Sequence, residues 1–315
     1  MTFRIFVAFA LIFSAVASAA DKPVPQVKRA LIISVDGLRP DLMLRAKAPR
    51  MQAMLDRGSY SMWAKTTPGA ITLPSHVSML TGVPPEWHGI MWNHELPLKE
   101  AVYPNFPTLF ELAKRQKMST AVVAGKTKFN VLDKPGVLDW KFFASTSTDS
   151  DNEVIATALK ILRDHQPDVM LVHFAIVDVA GHGKGWGSPE QMAAIEATDK
   201  SIAQIFDALD ELKLADSTFI ILSADHGGAG RTHGPEDPRS RIIPWIAMGP
   251  GIRKNFDLTL LGADSNIETY DTFTTTCTML GIPFQRNVKG KFIPQILENP
   301  ELVRPQSDAT TQPNK

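Results

Sequence analysis

Three acidic residues each close an apolar run in this chain. Asp36-Gly37 follows residues 30–35, Asp178 follows residues 169–177, and Asp225-His226-Gly227 follows residues 217–224. His182 stands four residues after Asp178, and His233-Gly234 lies in the same glycine-rich stretch as His226. Singly, each aspartate could be a turn residue closing a strand, and each histidine a hydrogen-bonding group. Together they are a different matter. Three carboxylates gathered in one buried place are very costly without counter-charge, and a metal ion supplies it. Carboxylate oxygen with imidazole nitrogen suits zinc, with manganese or iron also compatible. Two sets of three such ligands fit a pair of ions about 4 Å apart.

A hydroxyl completes the constellation. Thr72 sits in a loop marked by Pro68, Gly69 and Pro74, ahead of a helical stretch from about Ser75 to Leu80 that ends at Thr81-Gly82. Such a junction presents unpaired backbone N–H groups and the positive end of a helix dipole, a natural seat for phosphate. The plainer alternative is that Thr72 or Ser75 only caps the helix. A two-metal site beside a hydroxyl implies phosphoryl-transfer chemistry, the hydroxyl attacking as alkoxide while the ions neutralise the developing charge.

The elements that must position these groups can be read from the same runs. Residues 30–36, 120–124, 168–178, 217–225 and 242–248 read as strands, the most apolar of them buried on both faces of a parallel sheet. Helices are expected from Pro40 to about Leu55 with Gly58 as stop, over 107–117, 153–165 and 269–280, and from Ser188-Pro189 to about Leu212. Residues 181–187 read as a glycine-rich loop carrying His182, and residues 91–150 as carrying a small decoration over the site. Strands alternating with helices give one α/β domain, a largely parallel sheet with helices on both faces. In such sheets ligands bind at the carboxyl ends of the strands, so the three carboxylates can converge there.

Composition sets the outer limits. The chain has 315 residues, 44% hydrophobic and 21% charged, which describes a globular protein with ample core. Lys+Arg and Asp+Glu both number 33, which excludes a basic nucleic-acid binder. An anionic ligand must then be held by local features. Residues 1–20 have the form of a secretory signal peptide, with Arg4, an apolar run over 5–13 and Ala17-Ser18-Ala19 as the cleavage site. The alternative is an uncleaved N-terminal anchor. No other stretch approaches 18 apolar residues, so no membrane span is expected in the mature chain. A periplasmic or secreted protein is expected, with a catalytic domain over 21–300 and a polar, disordered tail over 301–315. Cys277 is the sole cysteine and reads as a small buried hydrophobe on a helix.

The motifs Val35-Asp36-Gly37, Thr72-Leu73-Pro74-Ser75-His76, Leu80-Thr81-Gly82, Pro85-Glu86-Trp87-His88-Gly89, Asp178 with His182, Asp225-His226-Gly227 and His233-Gly234 stand in a familiar order. As an ordered set over residues 31–251 they resemble the alkaline phosphatase superfamily, and within it the type I phosphodiesterase/nucleotide pyrophosphatase family. The resemblance implies an alkaline-phosphatase-like fold and two zinc ions. Asp178, His182 and His233 would hold one ion; Asp36, Asp225 and His226 would hold the other, with Thr72 as nucleophile and further ligand. It implies a small phosphorylated substrate, a covalent phosphothreonine, and attack on it by a metal-activated water. Ser75 stands where nucleotide pyrophosphatases of the family usually have Asn, and is the candidate donor to a phosphoryl oxygen. Thr72 and His76 fill the ends of the sulfatase pattern C/S-x-P-x-R, which argues against a formylglycine sulfatase. Rival readings are a phosphomonoesterase, a transferase passing the phosphoryl or phosphoalcohol group to an alcohol, and a metal-binding protein without turnover. Lys126, Lys128 and Arg231 are the loop cations that could clamp a terminal phosphate. Trp87 and His88 are expected to pack, and His173 to be structural. His94 gains no role, and nothing in the sequence speaks to oligomeric state.

Overall fold

A computed structural model describes residues 22–94, 101–144 and 150–302. The expected signal peptide and, past Leu302, the expected tail lie outside the described residues. The strands are β1 (Arg29–Val35), β2 (Gly58–Lys65), β3 (Thr120–Ala124), β4 (Trp140–Phe143), β5 (Val169–Phe174), β6 (Thr218–Ser223), β7 (Ile242–Met248) and β8 (Phe256–Asp257). They form one sheet in the order β4-β3-β5-β1-β6-β7-β2-β8. Strands β4, β3, β5, β1 and β6 run parallel, and β7 pairs antiparallel with both β6 and β2. The sheet is therefore mixed but mostly parallel, as the alternation of apolar runs and helices predicts.

Every residue of β3, β5 and β6 is buried. Successive strand residues point to opposite faces, so both faces must be covered. The helices are α1 (Pro40–Arg45), α2 (Pro49–Arg57), α3 (Thr72–Thr81), α4 (Pro85–His88), α5 (Leu109–Arg115), α6 (Ser150–His165), α7 (Ile176–Lys184), α8 (Pro189–Glu211) and α9 (Asp271–Leu280). Helix α8 packs on α2, α6 and α7, while α9 packs on β1, β6 and α3. Cys277 is buried in α9, as expected. Among the described residues no helix is long and apolar enough to cross a membrane.

Three local expectations are corrected. The run over 168–178 is a strand only to Phe174; Ala175 then turns directly into α7, so Asp178 and His182 share a helix, and the expected loop over 181–187 is helical to Lys184. A continuous apolar run does not separate strand from buried helix. What starts α7 is remote: the Asp151 carboxylate accepts the N–H groups of Ala175 (2.7 Å) and Ile176 (3.4 Å). Second, Gly58 closes α2 in extended conformation and opens β2, an element not read from its small polar residues. A side chain there would strike the Ala247 carbonyl on β7, so glycine serves close strand approach. Third, the described residues between 101 and 144 build α5, β3 and β4 into the main fold. Of the residues expected to carry a decoration over the site, Asn93 reaches the first turn of α3, as described below, and α5 also packs on α3.

Candidate active site

Strands β5, β1 and β6 are neighbours at the centre of the sheet, and the chain leaving each one carries an acid. Asp36 follows β1, Asp178 lies in the first turn of α7 beyond β5, and Asp225 follows β6. All three are buried. Gly37, at φ 74°, makes the turn after β1 and donates its N–H to Asp225 Oδ1 at 3.1 Å, tying two of the acids together. His182 is one turn beyond Asp178 on the same face of α7, its Nε2 3.4 Å from Asp178 Oδ1. His226 and His233 come from the long turn after β6, their rings stacked 3.6 Å apart, with the His182 ring 5.0 Å from that of His233.

The hydrogen bonds select which atoms face inward. His182, His226 and His233 each direct Nδ1 to a backbone carbonyl: Arg231 at 3.0 Å, Gly227 at 2.7 Å and Ala70 at 2.7 Å. Nδ1–H donates, so in all three Nε2 is the nitrogen turned inward and is the lone pair in the neutral ring, the arrangement that metal-binding histidines adopt. Ala70 holds φ 47°, a strained conformation for alanine, in the loop that brings its carbonyl to His233. The carboxylates are selected in the same way. Asp36 Oδ2 takes His173 Nε2 (3.0 Å) and Lys126 Nζ (2.6 Å), and Asp178 Oδ2 takes the same lysine (2.7 Å). Among the described residues, Asp36 Oδ1, Asp178 Oδ1 and Asp225 Oδ2 are buried without a hydrogen-bond donor.

Those leftover atoms fit a metal centre. Around His226 Nε2 stand Thr72 Oγ1 at 3.2 Å, Asp36 Oδ1 at 3.3 Å and Asp225 Oδ2 at 3.3 Å. Tetrahedral ligands with zinc bonds of about 2.0–2.1 Å stand about 3.3–3.4 Å apart. Asp178, His182 and His233 form a second group, and Asp178 Oδ1 is within 3.9 Å of both His226 Nε2 and His233 Nε2. All seven expected ligands thus come together, with Asp178 between the two halves.

The charges explain why a cation belongs here. Burial and the Asp36 charge push the Asp225 carboxyl up to about 7. Burial also acts against the Asp36 charge, but the Lys126 ammonium, the His173 hydrogen bond and the nearby His226 imidazole outweigh it and hold that carboxyl well below the usual range. Burial lowers His226, and the surrounding aspartates, Asp225 first, more than reverse this and raise it to about 9.

Thr72 is the first residue of α3, and Ile71, not Thr72 or Ser75, is the N-cap. His76 directs Nδ1 to the Thr72 carbonyl (2.8 Å) and Nε2 to the Ser34 hydroxyl (2.7 Å), fixing the first turn against β1. The structure places Ser75 with its hydroxyl 2.7 Å from that of Thr67, fully buried. Asn93, which sequence reasoning passed over, holds its Oδ1 3.0 Å from the Leu73 N–H and 2.8 Å from Lys128 Nζ. Two donors on that oxygen leave its amide group as the end without a partner among the described residues. His88 packs as expected, between Ser78 and the Ile90 N–H. His173 is structural in a precise sense: it links the Gly125 N–H to Asp36. Arg231 turns to the His182 and Gly183 carbonyls at the end of α7.

The profile of the type I phosphodiesterase / nucleotide pyrophosphatase family matches residues 30–237, which contain every one of these site residues. An uncharacterized pyrophosphatase/phosphodiesterase of Schizosaccharomyces pombe is 26% identical over 216 residues, 63% of this chain and 44% of that protein. The human GPI ethanolamine phosphate transferase 2 catalytic subunit is 23% identical over 290 residues, 88% of this chain and 28% of its own length. The match thus spans less than half of either relative. An inactive variant of murine ectonucleotide pyrophosphatase / phosphodiesterase 5, in complex with AMP, superposes with a TM-score of 0.67 at 14% identity. That superposition covers 83% of this chain and 97% of the murine one, and it carries the fold.

Proposed function

Because the chain belongs to the type I phosphodiesterase / nucleotide pyrophosphatase family, we propose that it is an exported two-metal phosphohydrolase. It cleaves phosphodiester or pyrophosphate bonds through a covalent phosphothreonine at Thr72. The observation that carries this reading is the set of ligand atoms around His226 Nε2, with the Thr72 hydroxyl among them. Asp36, Asp225, His226 and Thr72 hold one ion; Asp178, His182 and His233 hold the other. Zinc suits these ligands, and manganese or iron is compatible with them. When bound, the ions lower the pKa of the Thr72 hydroxyl and neutralise charge as the phosphoryl group transfers.

The chain's own groups do the rest. Thr72 Oγ1 forms a bond to phosphorus as the bond to the leaving oxygen breaks. Water then attacks the same phosphorus and the phosphothreonine bond breaks, returning Thr72. The first turn of α3 and the Asn93 amide stand beside that phosphorus and can steady its oxygens. The murine neighbour's AMP makes a nucleotide the first substrate to try. Residues 1–20 support delivery to the periplasm or outside the cell. A second reading, transfer of the phosphoryl or phosphoalcohol group to an alcohol instead of water, is favoured by the similarity to GPI ethanolamine phosphate transferase 2.

The test is metal content together with hydrolysis of bis-p-nitrophenyl phosphate and p-nitrophenyl phosphate, before and after chelation. About two ions per chain and metal-dependent turnover are expected. Thr72→Ala should lose at least about a thousandfold in kcat while keeping its metal. A protein that binds metal but turns over neither ester, nor passes the group to an added alcohol, would be a metal-binding protein of this fold.

A further inference from the structure

Of the three loop cations beside the site, two already have work. Lys126 bridges Asp36 and Asp178, and Arg231 caps the end of α7 through the His182 and Gly183 carbonyls. Lys128 is different. It is half-buried, and among the described residues its ammonium meets only Asn93, at Oδ1 (2.8 Å) and the backbone carbonyl (3.4 Å). Among the described residues no carboxylate lies within ion-pair distance of it. Three N–H groups serve two neutral acceptors on one residue, so the charge is left without a contact partner.

A charge withdrawn from water without a counter-charge is unfavourable. Burial and the neighbouring Lys126 accordingly push Lys128 down to about 8. Its place gives the reason for bearing that penalty. Asn93 Oδ1 accepts from both Lys128 and the N–H of Leu73, next to the nucleophile. Lys128 is therefore one acceptor atom away from the first turn of α3. Asp36, Asp178 and Asp225 are close enough for their charge to be felt, but two divalent ions and Lys126 would more than neutralise them.

We infer that Lys128 is a substrate-reading residue: with Asn93 it forms an anion subsite for a second acidic group on the substrate, close to the transferred phosphorus. Resting on the phosphohydrolase reading above, this narrows the substrate to compounds with two negative charges there. The extra charge is either the additional oxygen of a phosphomonoester dianion or the neighbouring phosphate of a pyrophosphate. A simple diester with uncharged substituents leaves Lys128 unpaired.

The test compares wild type, Lys128→Met and Lys128→Arg, all zinc-loaded and matched for metal content and melting temperature. Three substrates are used: bis-p-nitrophenyl phosphate, p-nitrophenyl phosphate and ADP. Binding of inorganic pyrophosphate and of orthophosphate is measured by calorimetry in parallel. Lys128→Met should lose about tenfold or more in kcat/KM on p-nitrophenyl phosphate, on ADP or on both, and change less than about threefold on the uncharged diester. Lys128→Arg should keep most of the preference. A loss confined to p-nitrophenyl phosphate and orthophosphate identifies a monoester; one confined to ADP and pyrophosphate identifies a pyrophosphate. Equal losses on all three substrates would make Lys128 a mere support for Asn93, and no loss would remove it from the site; either overturns the inference. The calorimetry separates the two readings. Tighter anion binding by wild type than by Lys128→Met, with no turnover of any ester, would sink the phosphohydrolase and leave the anion subsite standing. Equal anion binding by the two, with no turnover, would sink both.

Discussion

Asp36 Oδ2 takes His173 and Lys126, so Oδ1 alone is left for a cation. That asymmetry makes His173 a positioning residue: it fixes which oxygen faces the Thr72 half of the site. Metal ligands lose about 10–100-fold in affinity when such an outer partner is removed. His173→Leu should weaken zinc binding by that factor at one of two sites, with Thr72 chemistry falling alongside. His173→Gln, which can still donate to Asp36, should recover part of it. Competition with a chromophoric chelator measures both, and unchanged affinity in the leucine variant would refute the role. The seven proposed ligands stand out in the sequence because the acids and histidines fall in short glycine-containing motifs and Thr72 in a proline- and glycine-marked loop. His173 reads as structural from its place inside a strand, but its partner Asp36 cannot be read there, because it lies 137 residues away. The contact of Asn93 with α3 and the bridge of Lys126 between Asp36 and Asp178 were hidden by the same remoteness. Ser75 had drawn notice by its position in the nucleophile motif, but the turn of α3 sets its hydroxyl against Thr67.

Helix α7 shows how an element is decided from outside its own sequence. Residues 169–177 are apolar but for His173, and nothing within them marks the change from period two to period 3.6 after Phe174. Asp151, at the start of α6, accepts the first N–H groups of the turn and so sets where α7 begins. Asp178 and His182 then fall one helical turn apart, which a loop would not ensure. Strand β2 was missed for a related reason: Gly58, Ser59 and Ser61 carry little strand preference, and pairing with β7 makes the strand. The four central strands were legible because burial on both faces demands apolar residues at most positions. Asp151 also brings a pH dependence. Burial pushes its carboxyl up to about 6, against the pull of the Ala175 and Ile176 N–H groups. A folded-state value above the unfolded one gives stability that is full below about pH 4 and is lost as pH rises through about 6. Asp271, raised to about 6 by burial at the start of α9, acts in the same sense. Metal-free protein should therefore lose about 1–3 kcal/mol per group between pH 4 and 7. Asp151→Asn should remove roughly a third of that slope in urea unfolding while Asp271 and Asp225, whose carboxyl is raised to about 7, keep the rest. An unchanged slope would show that Asp151 does not titrate there.

Across the whole molecule, the central strand order β5-β1-β6 gathers three buried carboxylates whose mutual repulsion the proposed ions would relieve. Asp225 bears most of it: burial and Asp36 raise its carboxyl to about 7, and its Oδ2 is left without a donor. Function and fold therefore pull in opposite directions at this residue. Asp225→Asn can keep the Gly37 N–H on Oδ1 and place an amide where Oδ2 faces the acceptor Nε2 of His226. At about pH 9.5 His226, raised to about 9, has largely lost its proton, so the wild-type carboxylate has no local cation but Lys126. The sign follows: above its raised value an ionised Asp225 costs stability, and the amide does not. In a chelator, Asp225→Asn should be about 1–3 kcal/mol more stable than wild type. With zinc restored the order should invert. A ligand at a hundred times its Kd stabilises by about 2.7 kcal/mol, which wild type should show and the variant, missing a ligand of the Thr72 half-site, should show only for the other ion. Urea unfolding with and without zinc gives both differences. A variant less stable than wild type in chelator would mean that the fold, rather than the metal, demands a carboxylate at position 225.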